Sequence, residues 1–144
     1  MARRFDSDRL QIARGNYNFV DDAGAQGAFT IFTITNDVLL QVFGICDVAL
    51  TSAGAATIEL GVTGATARLI AQTTATLLIA NEVWHDATPD ETVTQLDIDG
   101  ARMFVVANGQ DAIFTIGAFD LTAGDIDFYA LWRPLSSTGL VVAA

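Results

Sequence analysis

Phe29-Thr30-Ile31-Phe32-Thr33-Ile34-Thr35-Asn36-Asp37-Val38-Leu39-Leu40-Gln41-Val42-Phe43 is the stretch from which the fold is read. It is rich in β-branched and aromatic side chains, which suit a pleated surface, and its order matches period two. Phe29, Ile31 and Thr33 alternate with Thr30, Phe32 and Ile34, so both faces are largely apolar. Two such runs broken by the turn pair Asn36-Asp37 predict a hairpin deep in a sheet. Apolarity on both sides predicts that one face meets the core. The other is then covered by a second sheet, a neighbouring subunit or the N-terminal arm.

The same language continues outward. Residues 56–63 and 67–71 flank Gly64, whose tolerance of positive φ suits a tight connection, and predict a second hairpin. Residues 74–84 read as extended, with a helical turn as the alternative because Ala75, Leu77, Leu78 and Ala80 also stripe a short helix. Asp99-Gly100 precedes the run 102–107, and Asn108-Gly109 separates it from 111–116; Asn-Gly between apolar runs is the strongest short hairpin signal. The last strand, 125–132, is closed by Pro134, which marks a strand end or a sheet edge. About eight strands at this turn spacing predict an all-β, single-domain antiparallel β-sandwich, jelly-roll-like. The chain divides into an extended N-terminal arm (1–15), the sandwich (16–135) and a C-terminal tail (136–144).

Composition bounds the function. A chain of 144 residues fits one domain. Its 51% hydrophobic and 17% charged content, with a mean hydropathy of +0.41, excludes a disordered chain. Seven basic residues against seventeen acidic ones give a net charge of -10, the wrong sign for a phosphate-binding surface, so nucleic acid is not an expected partner. Every basic residue is arginine, and Arg3, Arg4, Arg9 and Arg14 fall in the first fourteen positions. Offset by Asp6 and Asp8, that segment carries +2 and the body -12, which suggests a basic arm reaching onto an acidic neighbour. No apolar run has signal-peptide or membrane-spanning length, so neither cleavable secretion nor a membrane partner is expected. Cys46, the only cysteine, sits in an apolar run and reads as a small buried hydrophobe.

Motifs for chemistry are weak. His85 is the sole histidine, which eliminates a multi-histidine metal site. Ser7, Ser52, Ser136 and Ser137 lack the Gly-x-Ser-x-Gly elbow of a nucleophile, so His85 reads as a surface or interface residue beside Trp84. Asp97-Ile98-Asp99-Gly100 begins like a calcium loop, yet the later ligand positions are wrong and a hairpin turn explains it better. Asp125 and Asp127 merely share one face of a strand, and Asp86, Asp90 and Glu91 read as solvated. No glycine-rich phosphate loop occurs. Neither a cofactor, a metal nor a catalytic residue is expected. Trp84, Trp132, Tyr17 and Tyr129 would have to be exposed to form a sugar-stacking platform, and burial is the preferred reading.

Residues 124–136, Gly124-Asp125-Ile126-Asp127-Phe128-Tyr129-Ala130-Leu131-Trp132-Arg133-Pro134-Leu135-Ser136, with the ending Gly139-Leu140-Val141-Val142-Ala143-Ala144, resemble small virion proteins of tailed bacteriophages. Phe32-Thr33-Ile34-Thr35-Asn36-Asp37-Val38, Ile70-Ala71-Gln72-Thr73-Thr74-Ala75 and Trp84-His85-Asp86-Ala87-Thr88-Pro89 are similar to the same group, so the resemblance spans most of the chain. It implies a capsid decoration or cement protein, a non-enzyme made in the host cytoplasm. Such a protein, often trimeric, sits on the outer surface of the head and clamps the major capsid protein. An alternative is a glycan-binding or host-attachment module of a head fibre or tail component, marked by Trp84 or Trp132 exposed in a groove. A small hydrolase would instead place His85 in a pocket within reach of a nucleophile.

Contacts follow from the residues themselves. Arg3, Arg4, Arg9 and Arg14 form the capsid-contact arm, and its deletion (1–14) is expected to weaken lattice binding without a folding defect. Leu140, Val141 and Val142 form a second contact, able to add a strand to a neighbour. Two-faced strands predict a homo-oligomer, most simply a trimer, around Phe29, Ile31, Phe43 and Trp132.

Overall fold

The structure is a computed structural model and describes residues 9–96 and 103–144. In chain order, the described elements are β1 (Gln11–Asn18), the single helical turn α1 (Phe19–Asp22), β2 (Gly27–Thr35), β3 (Val38–Ser52) and β4 (Thr57–Val62). Then come β5 (Ala65–Thr74), a 3-10 turn (Ala75–Leu77), β6 (Val83–Trp84), β7 (Phe104–Val106), β8 (Ala112–Gly117), β9 (Leu121–Pro134) and β10 (Leu140–Ala143). They form two five-stranded sheets. Sheet A runs β1-β9-β3-β6, with β7 also pairing β3, and sheet B runs β10-β2-β8-β4-β5. Every pairing is antiparallel. Early strands lie beside late ones, β1 by β9 and β2 by β8, and the chain changes sheet at every connection except β4–β5 and β6–β7. This nesting makes the sandwich a jelly roll.

The alternation of β8 and β9 builds the interior. Ala112, Phe114 and Ile116 face Ile126, Phe128, Ala130 and Trp132 across the core, while Asp125, Asp127, Tyr129 and Leu131 point outward. Phe114 sits within 6.4 Å, centroid to centroid, of Tyr17, Phe29, Trp84 and Phe128. The two polar tips in this cluster are satisfied: the Tyr17 hydroxyl donates to the Ala23 carbonyl at 2.8 Å, and Trp84 Nε1 donates to Thr73 Oγ1 at 2.8 Å. Burial, then the nearby Asp22 charge, push the Tyr17 hydroxyl pKa up to about 12.

Several expectations need correction. Asn36-Asp37 does not close a hairpin, because β2 belongs to sheet B and β3 to sheet A. Asn108-Gly109 likewise carries the chain from β7 in sheet A to β8 in sheet B. Both are turns all the same: Asn36, Asn108 and Gly109 all adopt positive φ (53°, 61° and 66°). The two crossings are stitched to one another, Gly109 N donating to Asn36 O at 3.1 Å and Asn108 N to Asp37 Oδ1 at 3.0 Å. The hairpin about Gly64, joining β4 to β5 in sheet B, is present.

The two-sided apolarity of β2 has a local cause. A bulge between Thr30 and Phe32 shifts the alternation, so that Ile31 and Phe32, adjacent in sequence, are both buried in the core. Nothing beyond the sandwich is needed to cover them. Residues 74–84 combine both readings: the end of β5, the 3-10 turn, a loop and β6. Pro134 is the last residue of β9, opposite Val38, in a strand paired on both sides; it marks a strand end and not a sheet edge.

Candidate functional site

The residues assigned to an oligomer interface do not share a surface. Ile31 and Trp132 are each 4% exposed and belong to the core, and Phe29 packs half-buried against it, 5.5 Å from the Tyr17 ring. For Ile31 the cause is the bulge, and for Trp132 it is the inward phase of β9 opposite Leu40. Phe43 alone faces outward, stacked on Tyr129 at 5.3 Å and 15°. Trp84 and Tyr17 are buried as well, so the exposed tryptophan that would have marked a glycan platform is not found at either tryptophan.

The terminal contacts also change. Arg3 and Arg4 lie outside the described residues, as do Asp97 and Asp99 of the calcium-like run. Arg9 is exposed just ahead of β1. Arg14 is inside β1, its guanidinium 5.0 Å above the Tyr129 ring and 3.3 Å from the Tyr129 hydroxyl. Removing residues 1–14 would therefore cut away half of a paired strand, so a folding defect is expected from that deletion. Leu140, Val141 and Val142 do not wait for a neighbour. They pair with Thr35, Ile34 and Thr33 of the chain's own β2, and Val141 is only 3% exposed.

Two surfaces remain. The first is the outer face of sheet A, where register aligns Ile12, Arg14 and Asn16 of β1 with Leu131, Tyr129 and Asp127 of β9, and Tyr129 and Asp127 with Phe43 and Ile45 of β3; Gln41, opposite Leu131, is buried. The second is the end of the sandwich at which β1–β2, β3–β4, β5–β6 and β8–β9 cross between sheets. Val20 in α1 is 86% exposed there, and Leu77, Ile79 and Phe119 are exposed on neighbouring connections. Loops on a rigid scaffold are where binding residues concentrate. Asp21, Asp22, Glu82 and Asp120 lie on the same connections, and among the described residues no arginine does.

At the border of the two surfaces stands a cluster that the sequence half revealed. Carboxylate oxygens of Asp47, Asp125 and Asp127 lie within 4.8 Å of one another. Asp47 falls at a bulge of β3, between Cys46 and Val48, which is why strand alternation did not bring it to notice. Oxygen ligands at this spacing suit a hard divalent cation. Amides already serve two of the three: Asn16 Nδ2 donates to Asp125 at 2.7 Å and to Asp127 at 2.9 Å, and Asn18 Nδ2 donates to Asp125 at 2.8 Å. Asp47 has its pKa raised, by desolvation first and then by its hydrogen bond with Asp127 and the charges of Asp127 and Asp125.

A raised carboxyl pKa means that the folded state binds the proton more tightly than the unfolded state. Stability then falls as pH rises through the interval that starts at the ordinary aspartate value and ends at the raised one. We expect Asp47→Asn to raise the melting temperature at pH 7 and to flatten this acid-side decline, read by thermal scans from pH 3 to pH 7. An unchanged profile would show the three carboxylates to be uncoupled.

His85 lies elsewhere, in a cleft of about 230 Å³ between β5 and sheet A, lined by Gln41, Arg68, Leu69, Asp86 and Phe104 among others. Its side chain is 7% exposed, so it is not a surface histidine. Nε2 meets Asp90 Oδ2 at 2.5 Å, and Nδ1 lies 3.8 Å from Asp86 Oδ2. The Thr94 hydroxyl donates to that same Asp90 oxygen at 3.0 Å. The carboxylate therefore stands between hydroxyl and imidazole, whereas nucleophile activation needs the imidazole between hydroxyl and carboxylate. The group ties the loop after β6 to its own strand, together with the Val83–Asp90 bridge.

Cys46 is fully buried, and burial first, then the charges of Asp47, Glu82 and Asp125, push its thiol up to about 12. A thiol reagent at pH 8 should leave the native chain unlabelled over hours and label it once in denaturant; rapid native labelling would contradict this burial. No family model matches the chain, and no curated protein or solved structure matches it either.

Proposed function

We propose that the chain is a structural virion protein, a decoration protein that binds the outer surface of a tailed-phage head and stabilises the major capsid lattice. The observation that carries this reading is the loop end of the jelly roll, where Val20, Leu77, Ile79 and Phe119 stand exposed on short, well-tied connections. Apolar tips held on a rigid scaffold favour docking against another protein, because little order is lost on contact. Jelly rolls recur in viral capsid proteins, an analogy of fold that agrees with the sequence resemblance. A ligand that binds only the assembled lattice stabilises it by mass action. The lysine-free, -10 chain would be repelled by DNA released from a head.

The test is the temperature at which packaged heads release DNA, with and without added protein. Added protein should raise that temperature, and the double variant Val20→Asp with Phe119→Asp should abolish the gain while keeping a native melting curve. Equal protection by the variant would remove the loop end from the contact.

A further inference from the structure

The trimer expected from the sequence rested on four residues, and the structure leaves only Phe43 of them facing outward, on a sheet face with its own charge order. Along β9 the outward side chains run Arg133, Leu131, Tyr129, Asp127, Asp125, basic at one end and acidic at the other. Eight residues separate the ends, roughly 27 Å at strand rise. The middle is a continuous row, Arg14 over Tyr129 and Tyr129 stacked on Phe43. Tyrosine and arginine at the centre of a patch are the side chains that dominate binding energy at interfaces. Exposed Ile12 on β1 and Val105 on β7 extend the apolar surface to either side. Four strand spacings by eight residues make a footprint of about 19 by 27 Å, so two copies would cover about 1,000 Å² in all, the lower bound for a specific interface.

We infer that this face binds a second copy of the chain, face to face, about a two-fold axis that crosses β9 at Tyr129. Sheets pack with their strands nearly aligned, and a two-fold lying between the sheets and perpendicular to the strands reverses one copy against the other. The Arg133 end of each copy then lies over the Asp125 end of the other, and the two Arg14–Tyr129–Phe43 rows meet at the axis. No other relative direction of the strands satisfies both charged ends at once. The product is an isologous dimer, in place of the trimer. It leaves the loop end of each copy free, so it stands or falls separately from lattice binding.

The test is the mass of the full chain by light scattering and sedimentation at micromolar concentration. A particle of twice the 15.3 kDa chain is expected. Arg133→Glu and Asp125→Arg, made in separate chains, should each weaken the dimer at least about tenfold, since like charges then oppose at both ends. Mixed together, the two variants should regain a dimer, because every opposed pair is again complementary. Phe43→Glu, at the axis, should yield a monomer, with circular dichroism showing the fold retained. A monomer or a trimer of the parent chain would overturn the inference, and so would a mixture of the two charge variants that fails to reassociate.

Discussion

Phe114→Ala should remove about 3–5 kcal/mol of stability, the range found when a buried aromatic ring is truncated and its site does not collapse. Phe114 is fully buried at the centre of the sandwich and touches four other rings, three from the opposite sheet and one from its own: Tyr17, Trp84 and Phe128 belong to sheet A, and Phe29 shares sheet B with it. Its neighbours are themselves held, Trp84 by Thr73 and Tyr17 by Ala23, so they cannot move in to fill the space. A domain of this size has a net stability of about 5–15 kcal/mol, so the variant should fall to the edge of folding at 37 °C. Urea titration followed by tryptophan fluorescence measures it directly. A loss under about 1 kcal/mol would place Phe114 outside the core.

Removal of residues 139–144 has the next largest effect. Val141 is buried, and its lost burial alone is worth about 1.5–3 kcal/mol. The truncation also strips the ladder from Phe32 to Thr35 and the Ala144 N to Ile31 O bond of 3.1 Å, each such bond contributing about 0.5–1.5 kcal/mol net. It leaves β2 as an unprotected edge with a high β-propensity sequence, a template for aggregation. We expect a drop of roughly 3 kcal/mol, together with turbidity on heating. A melting curve that the truncation does not move would restore the tail as a free contact segment, the role its sequence suggests.

These two outcomes bear on what a sequence of this kind can tell. The alternation of β8 and of residues 124–132 in β9 is legible because each run keeps one phase and one sheet, and the β4–β5 hairpin is legible because its turn and its pairing coincide. Asn36-Asp37 and Asn108-Gly109 are different: turn residues fix where the chain reverses and do not fix which sheet receives the next strand. In a jelly roll most reversals change sheet, so a hairpin reading of good turn chemistry fails there by construction. Bulges hid two further facts. One made β2 look two-faced, although Ile31 and Phe32 both point inward, and the other placed Asp47 beside Asp125 and Asp127 from a strand position without a regular partner. The loop end was not legible at all, because Val20, Leu77, Ile79 and Phe119 are far apart in sequence and meet at one end only through the four crossings.

A short apolar segment after a strand-ending proline has two ways to bury itself, on its own sheet or on another molecule, and the choice depends on whether an edge is open nearby. β2 presents such an edge, and the tail takes it. Arg14, counted with the arm by charge, is held in β1 by eight register pairs with β9 and by the Tyr129 ring beneath it.

The most direct measurement is co-sedimentation of the purified chain with expanded heads that lack it, over a range of protein concentrations. Saturable uptake at a fixed ratio to the capsid subunits, lost in the Val20→Asp, Phe119→Asp variant, is the result this account predicts. Protein that stays in the supernatant at every concentration, while its melting curve shows it folded, would contradict it.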